Sequence, residues 1–373
     1  MQINYNGMSQ IDAILVQGDH IVHGLSTAST ATNNWPVQKA MMERLVELLK
    51  TKFPTKPIYL CIGNNDVLQH YQAAADADKA MYYGDLLDMW FTNVPTNAAL
   101  ASSVTSSMLS GGYYTVDLTT NLGLIVLNTI HFSVRNNADL STATTQLSWL
   151  SDILTNAPAN KKYLISMHIP PSMFFFQSLE DFWRQTYKDI FSQIITDNRD
   201  KIHMILGAHI HQADIRAPLS TTQPTLKPIP LILTPSVSPI YYNNPGYSIM
   251  DFDQNNGYST SLVNWRFFQL YEYTLTRTLS TSFITTDPQA LFNVHFSDAA
   301  TIQTLQTRLS RDAQLFGVYL AAKMGYRWLF QQGGGLFYPL AKVAGKMETF
   351  QQNYVCAMRY MDVAGYDGCK YVA

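Results

Sequence analysis

Polar groups able to hold a metal ion stand at four places along this chain: Gly18-Asp19 with His23 just behind, Gly63-Asn64-Asn65-Asp66, Met167-His168, and Ala208-His209-Ile210-His211. A carboxylate, a side-chain amide and imidazoles make a donor set suited to Zn, Mn or Fe and less suited to Ca. Asp19 can give one oxygen to each of two ions. Asn64 offers a neutral carbonyl oxygen, and His168 and His209 offer ring nitrogens, so with Asp19 these would complete one ion's site. His211, two residues past His209, would lie on the same side of an extended segment, and a turn there would aim it at a second ion. Two ions of this kind can supply the nucleophile and the charge neutralisation that hydrolysis of a phosphoester needs. His23 is the candidate proton donor to the leaving oxygen. Asn65 and Asp66 read as residues behind the ligands, Asp66 as a carboxylate that orients a neighbour.

Taken singly, these stations say little. Gly-Asp and Gly-Asn-Asn-Asp are ordinary turn signals. His168, before Pro170-Pro171, reads alone as a loop histidine. The information lies in the order and in what precedes each station. Ala13-Ile14-Leu15-Val16, the run ending at Leu60, the run containing Ile165, and His203-Met204-Ile205-Leu206-Gly207 read as buried strands. Ligands in open α/β sheets sit beyond the carboxyl ends of strands, so these groups would gather on one rim.

Between the strands the apolar spacing turns helical. It predicts helices over 39–50, 144–154 and 179–195, strands over 121–128, 162–167, 228–233 and 247–252, and hence an α/β chain with helices outside the sheet. Residues 26–34 and 96–112, rich in Ser, Thr and Ala, read as surface loops. The stretch 253–257 is a turn signal and a candidate boundary. It divides the chain into domains 1–255 and 256–373, the second mainly helical: 258–273 as one more strand pair, then helices over 299–324 and 340–361. Phe174-Phe175-Phe176 reads as a buried loop anchor, and His131 and His295 as partly buried packing residues. His20, His70 and His203 read as structural or surface, with His70 near the site.

The 373 residues are 47% hydrophobic and 14% charged with a net charge of −2, enough for a sizeable core and without the basic footprint of a nucleic-acid binder. No apolar stretch is long enough to span a bilayer. Cys356 and Cys369 stand close together near the C-terminus while Cys61 lies alone in a strand-like run; we read one terminal disulfide and one buried thiol. The N-terminal residues lack the pattern of a signal peptide, and no Asn-x-Ser/Thr acceptor occurs.

The ordered set resembles the calcineurin-like metallophosphoesterases, whose pattern runs D-x-H, G-D, G-N-H-[DE], H, G-H-x-H. Within them it is similar to the acid sphingomyelinase-like phosphodiesterases. Gly18-Asp19 with His23, the stretch Thr234 to Pro239 with Asn243-Asn244-Pro245-Gly246-Tyr247, Arg311-Asp312-Ala313-Gln314-Leu315-Phe316, and the Tyr354-x-Cys356…Cys369 ending carry that likeness. Gly63-Asn64-Asn65-Asp66-Val67 and Leu127-Asn128-Thr129 resemble the endopolyphosphatases. The resemblance implies a four-layer α/β/β/α sandwich with a small C-terminal helical domain and two divalent ions, zinc foremost and Mn or Fe as alternatives. It also implies metal roles for Asp19, Asn64, His168, His209 and His211, a leaving-group role for His23, and a secreted or lysosomal/vacuolar location. The substrate would be a small phosphoester, a lipid head group or nucleotide, cleaved by metal-activated water.

Three departures accompany it. No D-x-H occurs, so a first strand reads as missing and one ion would keep only Asp19 and His211, leaving one ion in place of two. Asn65 stands where the pattern has a histidine, leaving His23 to act alone. Ala208 replaces the glycine of G-H-x-H, at a cost of about 1 kcal/mol if φ there is positive. These departures support a second expectation, a non-catalytic relative that binds a metal or a phosphorylated ligand. An endopolyphosphatase-like hydrolase is a third.

Overall fold

The computed structural model describes residues 11–26, 34–138, 140–176, 178–222, 225, 227–241, 243–253, 259–268, 283–326 and 347–370. Its strands are β1 (Ile14–Val16), β2 (Ile58–Leu60), β3 (Tyr114–Asp117), β4 (Leu122–Leu127), β5 (Lys162–Met167), β6 (Met173–Phe175), β7 (Leu179–Asp181), β8 (Ile202–Gly207), β9 (Asp214–Arg216), β10 (Leu231–Leu233), β11 (Gly246–Asp253), β12 (Ser259–Phe268) and β13 (Phe283–Thr286). Its α-helices are α1 (Trp35–Lys52), α2 (Asp76–Leu87), α3 (Ala101–Gly111), α4 (Ser141–Thr155), α5 (Gln185–Asp197), α6 (Pro288–Phe292), α7 (Ala299–Arg311), α8 (Ala313–Met324), α9 (Met347–Arg359) and α10 (Val363–Lys370). Two compact units divide the chain: Met1–Trp149 with Ile165–Ile169, and Leu150–Leu164 with Pro170–Ala373. The expected turn 253–257 lies largely outside the described residues, as do residues 258 and 269–273 of the expected strand pair and 340–346 of the last expected helix; within that pair, 259–268 form one strand, β12, antiparallel to β11 and β13.

In the first unit β1 and β2 pair in parallel, with Ile14 opposite Ile58 and Val16 opposite Leu60. Parallel pairing in register makes the two strands end together, so Gly18-Asp19 and Gly63-Asn64 emerge side by side. Cys61 N–H continues the ladder to the Val16 carbonyl at 3.1 Å, and the Cys61 side chain is buried, as expected for the lone thiol. Strands β3, β4 and β5 lie in that order, with β3 antiparallel to β4. Every residue of β4 is buried, the mark of a strand covered on both faces.

The expected loop 96–112 is instead a 3₁₀ turn, Ala98–Leu100, followed by α3. Its Ser and Thr hydroxyls turn back on the helix: Thr105 donates to the Ala101 carbonyl at 2.7 Å and Ser107 to that of Val104 at 3.1 Å. Val104 and Met108, four residues apart, bury one face, and Gly112 ends the helix at φ 74°. A composition typical of loops concealed that short apolar stripe. Helix α2 was not expected from spacing either; it buries Tyr82, Tyr83 and Leu86.

In the second unit β10 pairs in parallel with β8 and antiparallel with β9. The expected helix over 179–195 starts only at Gln185, because Leu179–Asp181 pairs as β7 with β6, Met173 opposite Asp181. Lys188 on α5 holds that hairpin with its ammonium 2.8 Å from Asp181 and 2.9 Å from the Met361 carbonyl. Phe174 and Phe175 thus belong to a strand, and Phe176 is exposed rather than an anchor. The expected helix over 299–324 is two helices, because Asp312 adopts an extended conformation and its carboxylate accepts from Leu315 N–H as the cap of α8. Cys356 and Cys369 form the expected disulfide, joining α9 to α10 over a core of Met173, Ala357 and Tyr366. His131 is fully buried, whereas His295 is exposed, contrary to its expected packing role.

His203 on β8 packs edge-on against Phe252 at 5.8 Å. Burial, with Arg199 and Lys162 adding positive charge nearby, lowers its pKa from 6.5 to about 4. The unfolded chain therefore takes up this proton first. The stability tied to the neutral ring is complete above pH 6.5 and is lost as pH falls through about 4. A shift of that size corresponds to at most about 3 kcal/mol. We expect His203→Gln to lose about 2 kcal/mol less than wild type between pH 7 and pH 4 in urea unfolding; parallel losses would refute this.

Candidate metal centre

Each expected station follows the strand that should deliver it. Asp19 lies beyond β1, Asn64 beyond β2 and His168 directly after β5, all in the first unit. The turn at Gly18 is built for close approach: φ is 81°, and a Cβ there would stand 2.7 Å from both Gly63 Cα and His168 Nδ1. A Cβ on Gly63 would collide with the Asp19 backbone nitrogen and carboxylate. The two glycines let two strand ends and a histidine ring share one small space.

Three donor atoms converge there. His168 Nε2 is 3.0 Å from Asn64 Oδ1 and 3.3 Å from Asp19 Oδ2. The other ring nitrogen, Nδ1, lies 2.6 Å from the Gln17 carbonyl, to which it can only donate. A neutral ring would present a bare Nε2 lone pair to two further oxygen acceptors, which a shared cation satisfies; without one, a proton on Nε2 that donates to them does the same. Ligands bound at about 2.1 Å to a tetrahedral ion stand roughly 3.4 Å apart, near these separations. The residues thus fit a divalent metal, and the Nδ1 bond to a carbonyl is the usual outer partner of a metal-binding imidazole. Burial opposes charge on His168, but the Asp19 carboxylate and the Gln17 carbonyl outweigh it and raise its pKa.

Asp19 itself has φ 55°. Its Oδ1 accepts from Asn65 N–H at 2.9 Å and its Oδ2 from the Asn65 side-chain amide at 2.9 Å. Asn65 thus donates twice to Asp19. Asp66 is fully buried and accepts from His20 N–H at 2.7 Å and Gly63 N–H at 2.8 Å, with the His20 ring at 3.1 Å. That carboxylate ties the Asp19 loop to the Asn64 loop. His23 Nε2 is 4.0 Å from Asp19 Oδ2 and its side chain is 31% exposed, open enough to meet a ligand. His70 stands against Asn64, with Nε2 3.0 Å from the Asn64 amide nitrogen. Burial lowers its pKa.

His209 and His211 lie in the second unit on the turn after β8. The segment is not extended: His209 has φ 74° and His211 φ 61°. Ala208 is not among the residues with positive φ, so the strain expected at that position falls on the two histidines instead. The His209 ring packs edge-on against Phe182 at 4.9 Å and the His211 ring against Tyr241 at 4.7 Å. The Gln17 carbonyl and the His20 ring escaped the sequence reading, since each depends on how two loops meet.

Candidate donors stand at strand ends on a mixed α/β frame. Residues 3–213, more than half of the chain, match the calcineurin-like phosphoesterase family, and the chain belongs to that family. The chain is 29% identical over 266 residues to sphingomyelinase phosphodiesterase D of Dictyostelium discoideum, covering 69% of this chain and 56% of that protein. It is 22% identical over 349 residues to acid sphingomyelinase-like phosphodiesterase 3b of Homo sapiens, covering 89% of this chain and 71% of that protein. The chain thus spans little more than half the length of the first of these relatives. A solved dimetal phosphatase from Danio rerio aligns at TM-score 0.40 and 11% identity, over 69% of this chain and 80% of that one. The fold is that of the metallophosphoesterases with a helical C-terminal region, and the family implies divalent metal ions and a small phosphoester substrate. No helix among the described residues is long and apolar enough to cross a membrane.

Proposed function

We propose that this chain is a metal-dependent phosphodiesterase acting on a small phosphodiester of the sphingomyelin or nucleotide type. The observation that carries the reading is the convergence of Asp19 Oδ2, Asn64 Oδ1 and His168 Nε2, with the second imidazole nitrogen committed to the Gln17 carbonyl. Asp19, Asn64 and His168 would hold the metal, and the family pattern adds His209 and His211 as further imidazole donors. When bound, a divalent ion supplies Lewis acidity toward the phosphoryl group and acidifies water. Zinc suits the donors best, with Mn and Fe as alternatives. The protein's own part is to orient these donors, to hold the Asp19 carboxylate through Asn65, and to offer a proton to the leaving oxygen from His23 Nε2. The Cys356–Cys369 disulfide supports a secreted or lysosomal/vacuolar location.

A second reading, a non-catalytic metal or phosphate binder, is favoured by one feature. Asn65 directs both its donors to Asp19 and has no acidic proton to give, so a single imidazole, His23, remains for the leaving group. Purified protein loaded with Zn or Mn and offered a generic aryl phosphodiester separates the readings. Turnover abolished by chelator and restored by metal supports the enzyme. Metal binding without turnover sinks it in favour of the binder. Release of short chains from polyphosphate, with no action on choline phosphodiesters, would instead place the activity with the endopolyphosphatases.

A further inference from the structure

We propose that His70, a residue outside the family's motif pattern, is a positioning residue that fixes the Asn64 side chain with its oxygen turned toward the metal position. The inference rests on reading Asn64 as a metal ligand. A carboxamide is nearly symmetric, and a half-turn exchanges its oxygen for an NH2 group. Only the oxygen can bind a cation, so a ligand asparagine needs a partner that accepts from its nitrogen. Asn64 has one: its amide nitrogen is 3.0 Å from His70 Nε2, while its oxygen is 3.0 Å from His168 Nε2. A half-turn would set the NH2 group against His168 and the oxygen against His70. With the His70 proton on Nδ1, Nε2 accepts from the amide and selects the ligating orientation.

The backbone holds the ring where this contact requires it. His70 N–H donates to the Ser26 carbonyl at 2.5 Å, and Tyr71 N–H donates to the Asn64 carbonyl at 3.2 Å. Tyr71 adopts φ 62°, a strained conformation for an aromatic residue, and the Arg135 guanidinium lies 4.7 Å over its ring. Gln72 completes the anchor, donating to the Arg135 carbonyl and accepting from Asn137 N–H, each at 2.8 Å. Thus the loop that leaves β2 carries the ligand and, six residues later, the residue that orients it. Asn65 cannot substitute, because its amide is held by Asp19.

The test compares wild type with His70→Leu, which removes the acceptor, and His70→Gln, whose side-chain oxygen can replace it. Calorimetric titration with manganese(II) alone and zinc(II) alone should show affinity about tenfold weaker or more for His70→Leu and within about threefold of wild type for His70→Gln. In metal-free protein the Asn64 side-chain amide resonance should move in His70→Leu and hold in His70→Gln. Should His70→Leu fail to fold, His70→Asn, too short to reach, takes its place. Unchanged affinity in His70→Leu, or equal loss in folded Leu and Gln variants, overturns the inference. If wild type binds neither ion, the functional reading fails, and the amide resonance still decides whether His70 holds Asn64.

Discussion

Replacing His168 with alanine is expected to lower kcat/KM for an aryl phosphodiester by roughly 10³-fold or more, about 4 kcal/mol of transition-state stabilisation, and to strip the bound metal. His168 Nε2 is the atom at which Asn64 Oδ1 and Asp19 Oδ2 meet, so its loss removes one donor and leaves the other two without the ring that fixes their spacing. The half-buried Gln17 carbonyl also loses its donor, a penalty of about 1 kcal/mol that the fold should survive. Elemental analysis and steady-state kinetics on a variant shown to be folded would check this. Full metal content with undiminished turnover would remove His168 from the site and end the assignment.

Asp214→Ala is expected to destabilise the protein by about 3–5 kcal/mol in urea unfolding. Asp214, Arg216 and Lys323 are all fully buried. The Asp214 carboxylate lies 2.8 Å from Arg216 and 3.2 Å from Lys323, and it also accepts from the Tyr319 hydroxyl. Arg216 in turn reaches Ser172 Oγ at 2.6 Å. One carboxylate thus serves two buried cations from β9 and α8. Burial opposes its charge, but Lys323 and Arg216 win and lower its pKa, while burial drives Lys323 down to about 8. Alanine would leave both cations buried and uncompensated. The exposed Arg44–Glu47 pair, also close at 3.0 Å, gives the contrast: breaking it should change stability by less than about 1 kcal/mol. If Asp214→Ala cost no more than Arg44→Ala, the buried cluster would have no structural weight.

The strand ends were legible because each combines an apolar run with a sudden polar group. Val16 leads to Asp19, Leu60 to Asn64, Met167 to His168, and the structure ends strands at each place. The helix α3 was illegible because its stripe is only Val104 and Met108 amid hydroxyl residues whose bonds to the backbone cannot be read from composition. The β6–β7 hairpin was hidden because Leu179 continues a helical spacing, and only pairing with Met173–Phe175 overrides it. In the candidate site, the types of the proposed donors were visible but their conformation was not. Nothing in Ala208-His209-Ile210-His211 reveals that the histidines rather than the alanine take positive φ.

That last feature bears on how such a chain would drift. Among non-glycine residues with positive φ, Asp19, His209 and His211 are three of the groups named as metal donors, and Tyr71 adjoins a fourth, Asn64, by a backbone bond. A side chain held there raises the energy of the fold by about 1–2 kcal/mol relative to glycine. Replacement of any of these three residues by glycine would therefore run downhill for folding. If these side chains bind a metal as proposed, that demand, and not the fold that carries them, would account for the strain.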